Sequence, residues 1–338
     1  MISFVVIAYN EAQNIAGTLD AITGLDELGD CEIVVVDDGS RDGTADIVRV
    51  IAAADPRVRL IDLEHNRGRG YARWRGIDAA RGTLIATVDA DIILPSGWLV
   101  RARAALQGHD AIGGVAVPDG DAAYVCRRFR LRPRPVSPTN AVTGNNALYR
   151  RRVFDVAGFD PSLREGEDSA FNHAMSKARL SIVTVPDLIV RHEEKKSFPT
   201  SVRFLFDVGR GATRQVFTLR QLRMPDLVAA AFVAAVAAGI FTALAGWPLI
   251  GLAVVAGFVL AAGTGHVLTR FHAPWSHGIR LLLAAVVDSV LLLAYLVGRV
   301  AGLSYLWHRP QGPQPALASY SAAAYPPAAP VEDQSRSV

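Results

Sequence analysis

Residues 84–91 read Leu84-Ile85-Ala86-Thr87-Val88-Asp89-Ala90-Asp91, and the reading of this stretch decides the fold. A short apolar run bounded by polar residues is the pattern of a strand buried on both faces, and this one stops at a carboxylate. Two earlier runs end the same way: residues 2–8 before Tyr9-Asn10-Glu11, and residues 32–36 before Asp37-Asp38-Gly39-Ser40. A further strand is expected over 58–63, and helical spacing fills the gaps at 14–22, 44–53 and 71–80. Strands alternating with helices predict an α/β domain with a mostly parallel sheet. In such a sheet the strand-to-helix turns gather at the carboxyl edge, where ligands bind, so Tyr9, Asp38 and Asp89 are expected to meet there.

The rhythm weakens after Asp91. A helix is expected over 98–107, a strand over 111–117, an Arg/Pro loop over 127–138, the segment 143–149, and a helix at 151–157. An acidic helix start at 165–168 running to Lys177 and a strand at 182–185 follow, and the domain is expected to close by residue 195.

With 338 residues the chain is long enough for a second module, since single cores stop growing near about 250–300 residues. The apolar share of 51% is high for a water-soluble protein, and the excess is concentrated: residues 227–268 contain no Asp, Glu, Lys or Arg. Segments 227–246 and 249–268, about 20 residues each, match the hydrocarbon thickness, with Gly246-Trp247-Pro248 as the turn between them. A third apolar run, 281–306, is expected to span as well, although it carries Asp288 and Arg299. Asp288 should then be protonated or find a hydrogen bond on another span, with Thr242 and Thr264 as candidates. Ahead of the spans, residues 196–226 mix arginines with apolar residues and read as amphipathic helices on an anionic membrane surface. The Pro/Ala/Ser-rich segment 307–338 reads as a disordered tail.

A net charge of +3 gives no argument for nucleic acid, and two cysteines exclude a disulfide framework or a paired-cysteine metal site. Residues 1–8 show no basic leader, and cationic residues flank the first apolar run, so the first domain is expected on the cytoplasmic side of the cell membrane.

Three acidic groups carry candidate chemistry. Asp89 and Asp91, two apart on a turn, can share a hard divalent cation with the phosphates of a nucleotide diphosphate; such a triplet also occurs as a solvated turn. A carboxylate in Asp37-Asp38 can accept the imide N–H of a uracil or guanine ring, while Asp42 or Thr44 can cap the next helix. Glu167-Asp168 at a helix start can supply a general base, or simply favour the helix N-terminus. His192, followed by two glutamates and two lysines, has the surroundings of a surface residue. A calcium-loop reading from Asp38 fails, because Arg49 stands where a bidentate Glu is needed. A dinucleotide reading fails too, for want of a glycine-rich turn after the first strand.

Taken together, six segments resemble the family 2 glycosyltransferases, inverting enzymes with a nucleotide-diphospho-sugar transferase fold of the GT-A type. They are Val5-Val6-Ile7-Ala8-Tyr9-Asn10-Glu11; Val35-Val36-Asp37-Asp38-Gly39-Ser40 with Asp42-Gly43-Thr44; Asn66-Arg67-Gly68-Arg69-Gly70 with Arg73; Asp89-Ala90-Asp91; Thr143-Gly144-Asn145-Asn146; and Gly166-Glu167-Asp168. The resemblance covers residues 1–195 and implies a membrane-anchored enzyme moving a sugar from a nucleotide-diphospho-sugar to a hydroxyl of a lipid-linked or cell-surface glycan. It implies that Tyr9 and Asp38 hold the base and Asp89 the ribose, with Ala8, Glu11, Arg73 and Ala90 also at the donor. It implies further that Asp91 holds Mg²⁺ or Mn²⁺, that His192 matches a histidine completing the metal site in some members, and that Asp168 is the catalytic base. The chain departs from the pattern in Trp74, where Asn is usual, and it lacks the Gln-x-x-Arg-Trp element of processive members. Alternatives are a polyprenyl-phosphate sugar synthase and a non-catalytic membrane scaffold of the same fold.

Overall fold

A computed structural model describes residues 1–116, 124–125, 128–129, 132–133, 141–164, 166–193, 197–219, 224–272 and 278–306. They form two compact units, one from residues 1–114 and 138–188, the other from 115–137 and 189–311.

The first unit opens with β1 (Ile2–Ala8), α1 (Ile15–Thr23), β2 (Cys31–Asp37), α2 (Thr44–Ala54), β3 (Val58–Asp62), α3 (Arg69–Ala79) and β4 (Leu84–Asp89). Strands β3, β2, β1 and β4 lie side by side and parallel, with Ala8 opposite Asp37 and Ile7 opposite Asp89, so their carboxyl ends fall in one row. Their near-continuous Val/Ile/Phe sequences are explained by burial on both faces: Phe4, Val6, Ile33, Val34, Val35, Val36 and Ile85 are all sealed from solvent. The chain continues through β5 (Ile92–Ile93), α4 (Trp98–Ala105), β6 (Ala111–Ala116), β7 (Arg132–Pro133), β8 (Asn146–Arg150), α5 (Glu167–Lys177) and β9 (Ile182–His192). The full sheet order is β3-β2-β1-β4-β8-β6-β9-β5, with β8 antiparallel to both β4 and β6. A core of Tyr149, Val153, Phe159, Phe171 and Met175 fixes α5 against this antiparallel half. Trp98 reaches into the same sheet and donates from Nε1 to Asn146 Oδ1 at 2.8 Å.

Two expectations need adjustment. The strand expected at 182–185 continues to His192, passing through Pro186; its neighbour β5 is two residues long and leaves most of that side without a ladder partner, where a proline is tolerated. The helix expected at 151–157 is a single 3₁₀ turn, Arg151–Asp155. The Arg-rich segment 127–134 lies largely outside the described residues.

The second unit contains β7 with its antiparallel partner β10 (Phe271–His272), and the helices α6 (Phe198–Leu219), α7 (Met224–Leu244), α8 (Pro248–Arg270) and α9 (Gly278–Ala301), the last followed by a 3₁₀ turn Gly302–Leu306. Among the described residues, three helices are long and apolar enough to cross a membrane: Met224–Leu244, Pro248–Thr269 and Ile279–Ser304. The turn between the first two is as expected: Gly246 takes φ 92°, the Trp247 N–H bonds Thr242 O at 2.9 Å, and Pro248 opens the next helix where its missing N–H costs nothing. The apolar side of α6 has protein against it, because Leu205, with Phe198 and Val202, packs with Val267, Ala284 and Leu291. Asp288 does bond to another span, but neither expected threonine is its partner. Thr242 and Thr264 each turn back to carbonyls of their own helices, and His266 Nδ1 sits 2.6 Å from Asp288 Oδ2. Threonine in a helix satisfies its hydroxyl locally, whereas an imidazole ring has no such option and reaches across.

Candidate active site

The row of strand ends is laced together by the loops that follow them. After β1 the chain turns at Asn10, which takes φ 57°; its N–H bonds Ser40 Oγ at 2.8 Å and its Oδ1 accepts the Arg41 N–H at 2.9 Å. Glu11 N–H bonds Thr44 Oγ1 at 2.8 Å, and Ala12 N–H bonds Asp42 Oδ2 at 3.0 Å. These bonds hold residues 9–12 against the loop before α2 and leave the Tyr9 ring 46% exposed at the edge. Gly39 at φ 74° lets the backbone pass so close to His65 that a Cβ there would lie 2.7 Å from its carbonyl carbon.

Asp38, expected to meet a nucleobase, is buried, and its two oxygens accept the backbone N–H groups of Arg67 at 2.7 Å and Gly68 at 2.8 Å. It therefore shapes the 66–70 loop, and any contact with a base uses its remaining lone pairs. Asp37 is fully buried, and burial pushes its carboxyl above the usual range. At the end of β4, Ala90 is pinned from two sides, its N–H on Ile7 O at 3.1 Å and its carbonyl accepting Thr18 Oγ1 at 2.7 Å, which fixes the turn carrying Asp89 and Asp91.

The centre of the site is Arg73. It lies on the inward face of α3 with Gly70, Gly76 and Ile77 and is 1% exposed. Its Nη2 donates to Asp89 Oδ1 at 2.7 Å and its Nη1 to Glu167 Oε1; Asp168 Oδ1 stands 3.7 Å from Nη1, and the guanidinium lies 5.5 Å from the Phe159 ring centre. A buried arginine held by several carboxylates cannot surrender its proton, and its pKa is raised by Asp89, Asp168 and Glu167 in spite of burial. Glu167 is buried as well; desolvation, and then the neighbouring charge of Asp168, push its carboxyl up to about 7, against the opposing pull of Arg73 and Arg69. Asp168 follows it at the start of α5, with a third of its side chain reachable from outside. Gly144 closes the cluster: a Cβ there would stand 2.5 Å from Asp168 Oδ1 and 2.6 Å from Arg73 Nε.

Thus the structure joins Arg73, Asp89 and Asp168 directly, and sets Ala8, Tyr9, Glu11, Asp38, Ala90 and Asp91 on the same edge. His192 ends β9, half-buried, in the second unit. Among the described residues no three His, Cys, Asp or Glu side chains group as a metal cage. Asp91, a buried carboxylate, nonetheless offers the hard-oxygen chemistry that Mg²⁺ and Mn²⁺ accept, since such ions take one or two protein carboxylates and complete their shell with phosphate and water. Sequence reasoning missed Glu167 as Arg73's partner and Gly144 as its packing neighbour. The available signal was an arginine at i+3 and i−3 to glycines on the apolar face of α3.

The fold agrees with that of known proteins. The chain is 28% identical over 240 residues to glycosyltransferase AglE of Haloferax volcanii, covering 68% of this chain and 78% of the relative. It is 33% identical over 164 residues to an undecaprenyl-phosphate 4-deoxy-4-formamido-L-arabinose transferase of Aeromonas hydrophila, covering 46% of this chain and 50% of that protein, so it spans about half of that relative's length. A mannosyltransferase of Pyrobaculum calidifontis, solved with GDP-Man and Mn²⁺, shares the fold at a TM-score of 0.56 and 22% identity, covering 91% of this chain and 88% of its own. The family described as Glycosyl transferase family 2 matches residues 3–159, and with the α/β sheet and carboxyl-edge cluster above, this part of the chain is a family 2 glycosyltransferase domain of the GT-A fold.

Proposed function

We propose that the chain is a membrane-anchored inverting glycosyltransferase that moves a sugar from a nucleotide-diphospho-sugar to a hydroxyl on a lipid-linked or cell-surface glycan, with the catalytic domain on the cytoplasmic side. The observation carrying this reading is the Arg73 guanidinium, which ties the donor-side carboxylate Asp89 to the Glu167-Asp168 pair. Asp168 would accept the acceptor hydroxyl's proton as the new bond forms at the anomeric carbon and the bond to the diphosphate breaks, so a single displacement inverts the centre. Tyr9, on the exposed edge, would face the base, and Asp89 would hold the ribose through the oxygen Arg73 leaves open. A bound Mg²⁺ or Mn²⁺, held by Asp91, would neutralise charge on the departing diphosphate. The mannosyltransferase solved with Mn²⁺ supports a divalent ion.

A second reading, transfer to a polyprenyl phosphate, is favoured by the likeness to the undecaprenyl-phosphate transferase of Aeromonas hydrophila. A phosphate acceptor is already ionised and needs no base, so Asp168→Asn separates the two. With UDP- and GDP-linked sugars as donors, the hydroxyl-acceptor reading expects turnover to collapse in Asp168→Asn while donor binding persists. Retained turnover on polyprenyl phosphate would favour the second reading, and no transfer or hydrolysis by the unaltered chain with any donor would leave only a scaffold.

A further inference from the structure

We infer that α9, although long and apolar enough to cross a bilayer, does not cross it: it begins and ends on the face where Met224 enters and lies in that single leaflet, its outer stripe against acyl chains.

Helices α7 and α8 have 21 and 23 residues, or about 31 and 34 Å at 1.5 Å per residue, enough for a hydrocarbon core of about 30 Å. They are joined by the tight turn at Gly246 and run antiparallel in close contact, Gly239 against Gly251 and Phe232 6.2 Å from Phe258. Residues near 226 and near 270 therefore share one face, and the turn occupies the other.

A spanning α9 would move steadily away from that first face. Instead Asp288, ten residues into α9 and so about 15 Å along it, bonds His266, only four residues or about 6 Å from the end of α8. Arg299, about 32 Å along α9, forms a buried ion pair with Asp226, the third residue of α7 and about 3 Å from its start. An ion pair cannot bridge a bilayer, so the far end of α9 lies beside the near end of α7. Helix α6, which precedes α7 in the chain, makes the same demand independently: Thr213 Oγ1 donates to Arg299 O at 2.7 Å, and Gly298 and Gly302 leave room for the backbone of Phe206 and Arg210.

The residue pattern suits such a helix. Ile279, Leu282, Leu283, Val286, Val290 and Val297 are exposed on α9, while Asp288, Ser289 and Arg299 are buried among the other helices. An apolar stripe on the outer side, with the polar residues confined to the protein-covered side beside Ala284, Leu291 and Leu296, is what an in-plane helix presents to one leaflet. The C-terminal end of α9 would then lie on the face where Met224 enters.

Cysteine labelling in sealed vesicles tests this on the full chain, in a Cys31→Ala, Cys126→Ala background carrying Ser197→Cys, Trp247→Cys or Ser337→Cys. With a membrane-impermeant maleimide, Ser197→Cys and Ser337→Cys are expected to react from the same side and Trp247→Cys from the opposite side. Ser337→Cys reacting from the Trp247→Cys side would overturn the inference. As an independent measurement, Asp226→Cys with Arg299→Cys should cross-link within one monomer under a short bifunctional reagent, and absence of that cross-link in inserted protein would also overturn it. Neither readout depends on sugar transfer, so the outcome is separate from that of the proposed activity.

Discussion

Arg73 Nη2 lies 2.7 Å from Asp89 Oδ1 while Nη1 of the same guanidinium is bonded to Glu167, a residue 94 positions further along the chain. One rigid fork therefore holds the end of β4 and the start of α5 at a common distance. Arg73→Leu leaves buried carboxylates without their cation and should cost about 3–5 kcal/mol of stability, read from chemical denaturation. Arg73→Lys keeps the charge but not the fork. With a charged hydrogen bond worth about 1.5–3 kcal/mol, it should lower turnover at least about tenfold in folded protein, and a fully active Lys variant would refute the positioning role.

The raised Glu167 carboxyl gives stability a pH dependence of definite sign. Its ordinary value is 4.5 and its folded value about 7, so the folded state holds the proton more tightly. Its contribution is fully present below about 4.5 and is lost as pH rises through about 7. Melting temperatures of the unaltered chain minus those of Glu167→Gln should fall between pH 5 and pH 8; a flat difference would place Glu167 in a different environment.

Gly144 is a packing requirement of the cluster. An added methyl group would meet Asp168 Oδ1 at 2.5 Å and Arg73 Nε at 2.6 Å. Overpacking of this kind costs about 1–3 kcal/mol. Gly144→Ala should therefore stay folded with transfer reduced by about tenfold or more, since the displaced groups are the ones the proposed reaction uses. Unchanged kinetics would show that the cluster yields freely.

Donor binding should depend on a divalent ion through Asp91. Removing the carboxylate in Asp91→Ala, or the ion with chelator, should weaken nucleotide-sugar binding and abolish transfer, and Mn²⁺ should raise the melting temperature only together with the nucleotide. Full activity in excess chelator would dismiss the metal.

Asp288 and His266, 2.6 Å apart, should behave as a pair. Asp288→Asn keeps a hydrogen-bonding group and should leave insertion and transfer near normal. Asp288→Leu strands the imidazole and should reduce assembled protein, and the double variant with His266→Leu should recover part of the loss. A double variant as poor as the sum of its singles would mean that the two residues do not act on each other.

The strands β1 to β4, the helices between them and the acidic strand ends are determined by short stretches of sequence. Burial on both faces demands unbroken apolar runs, and a parallel sheet then brings the ends of those runs to one edge. Gly39 and Gly246 are legible in the same way, because each turn needs a backbone that only glycine adopts cheaply. Tertiary structure alone decided which carboxylates share Arg73. Glu167 and Asp89 are 78 residues apart and meet only because β8 inserts antiparallel beside β4 and draws α5 over the strand ends. It also decided that His266, not Thr264, answers Asp288, since spacing along two helices does not specify their relative rotation. The course of α9 belongs here as well: its apolar length is the same for a helix that spans and for one lying in a single leaflet. The difference rests on the pairing of Arg299 with Asp226, a contact between helix ends that no local pattern encodes.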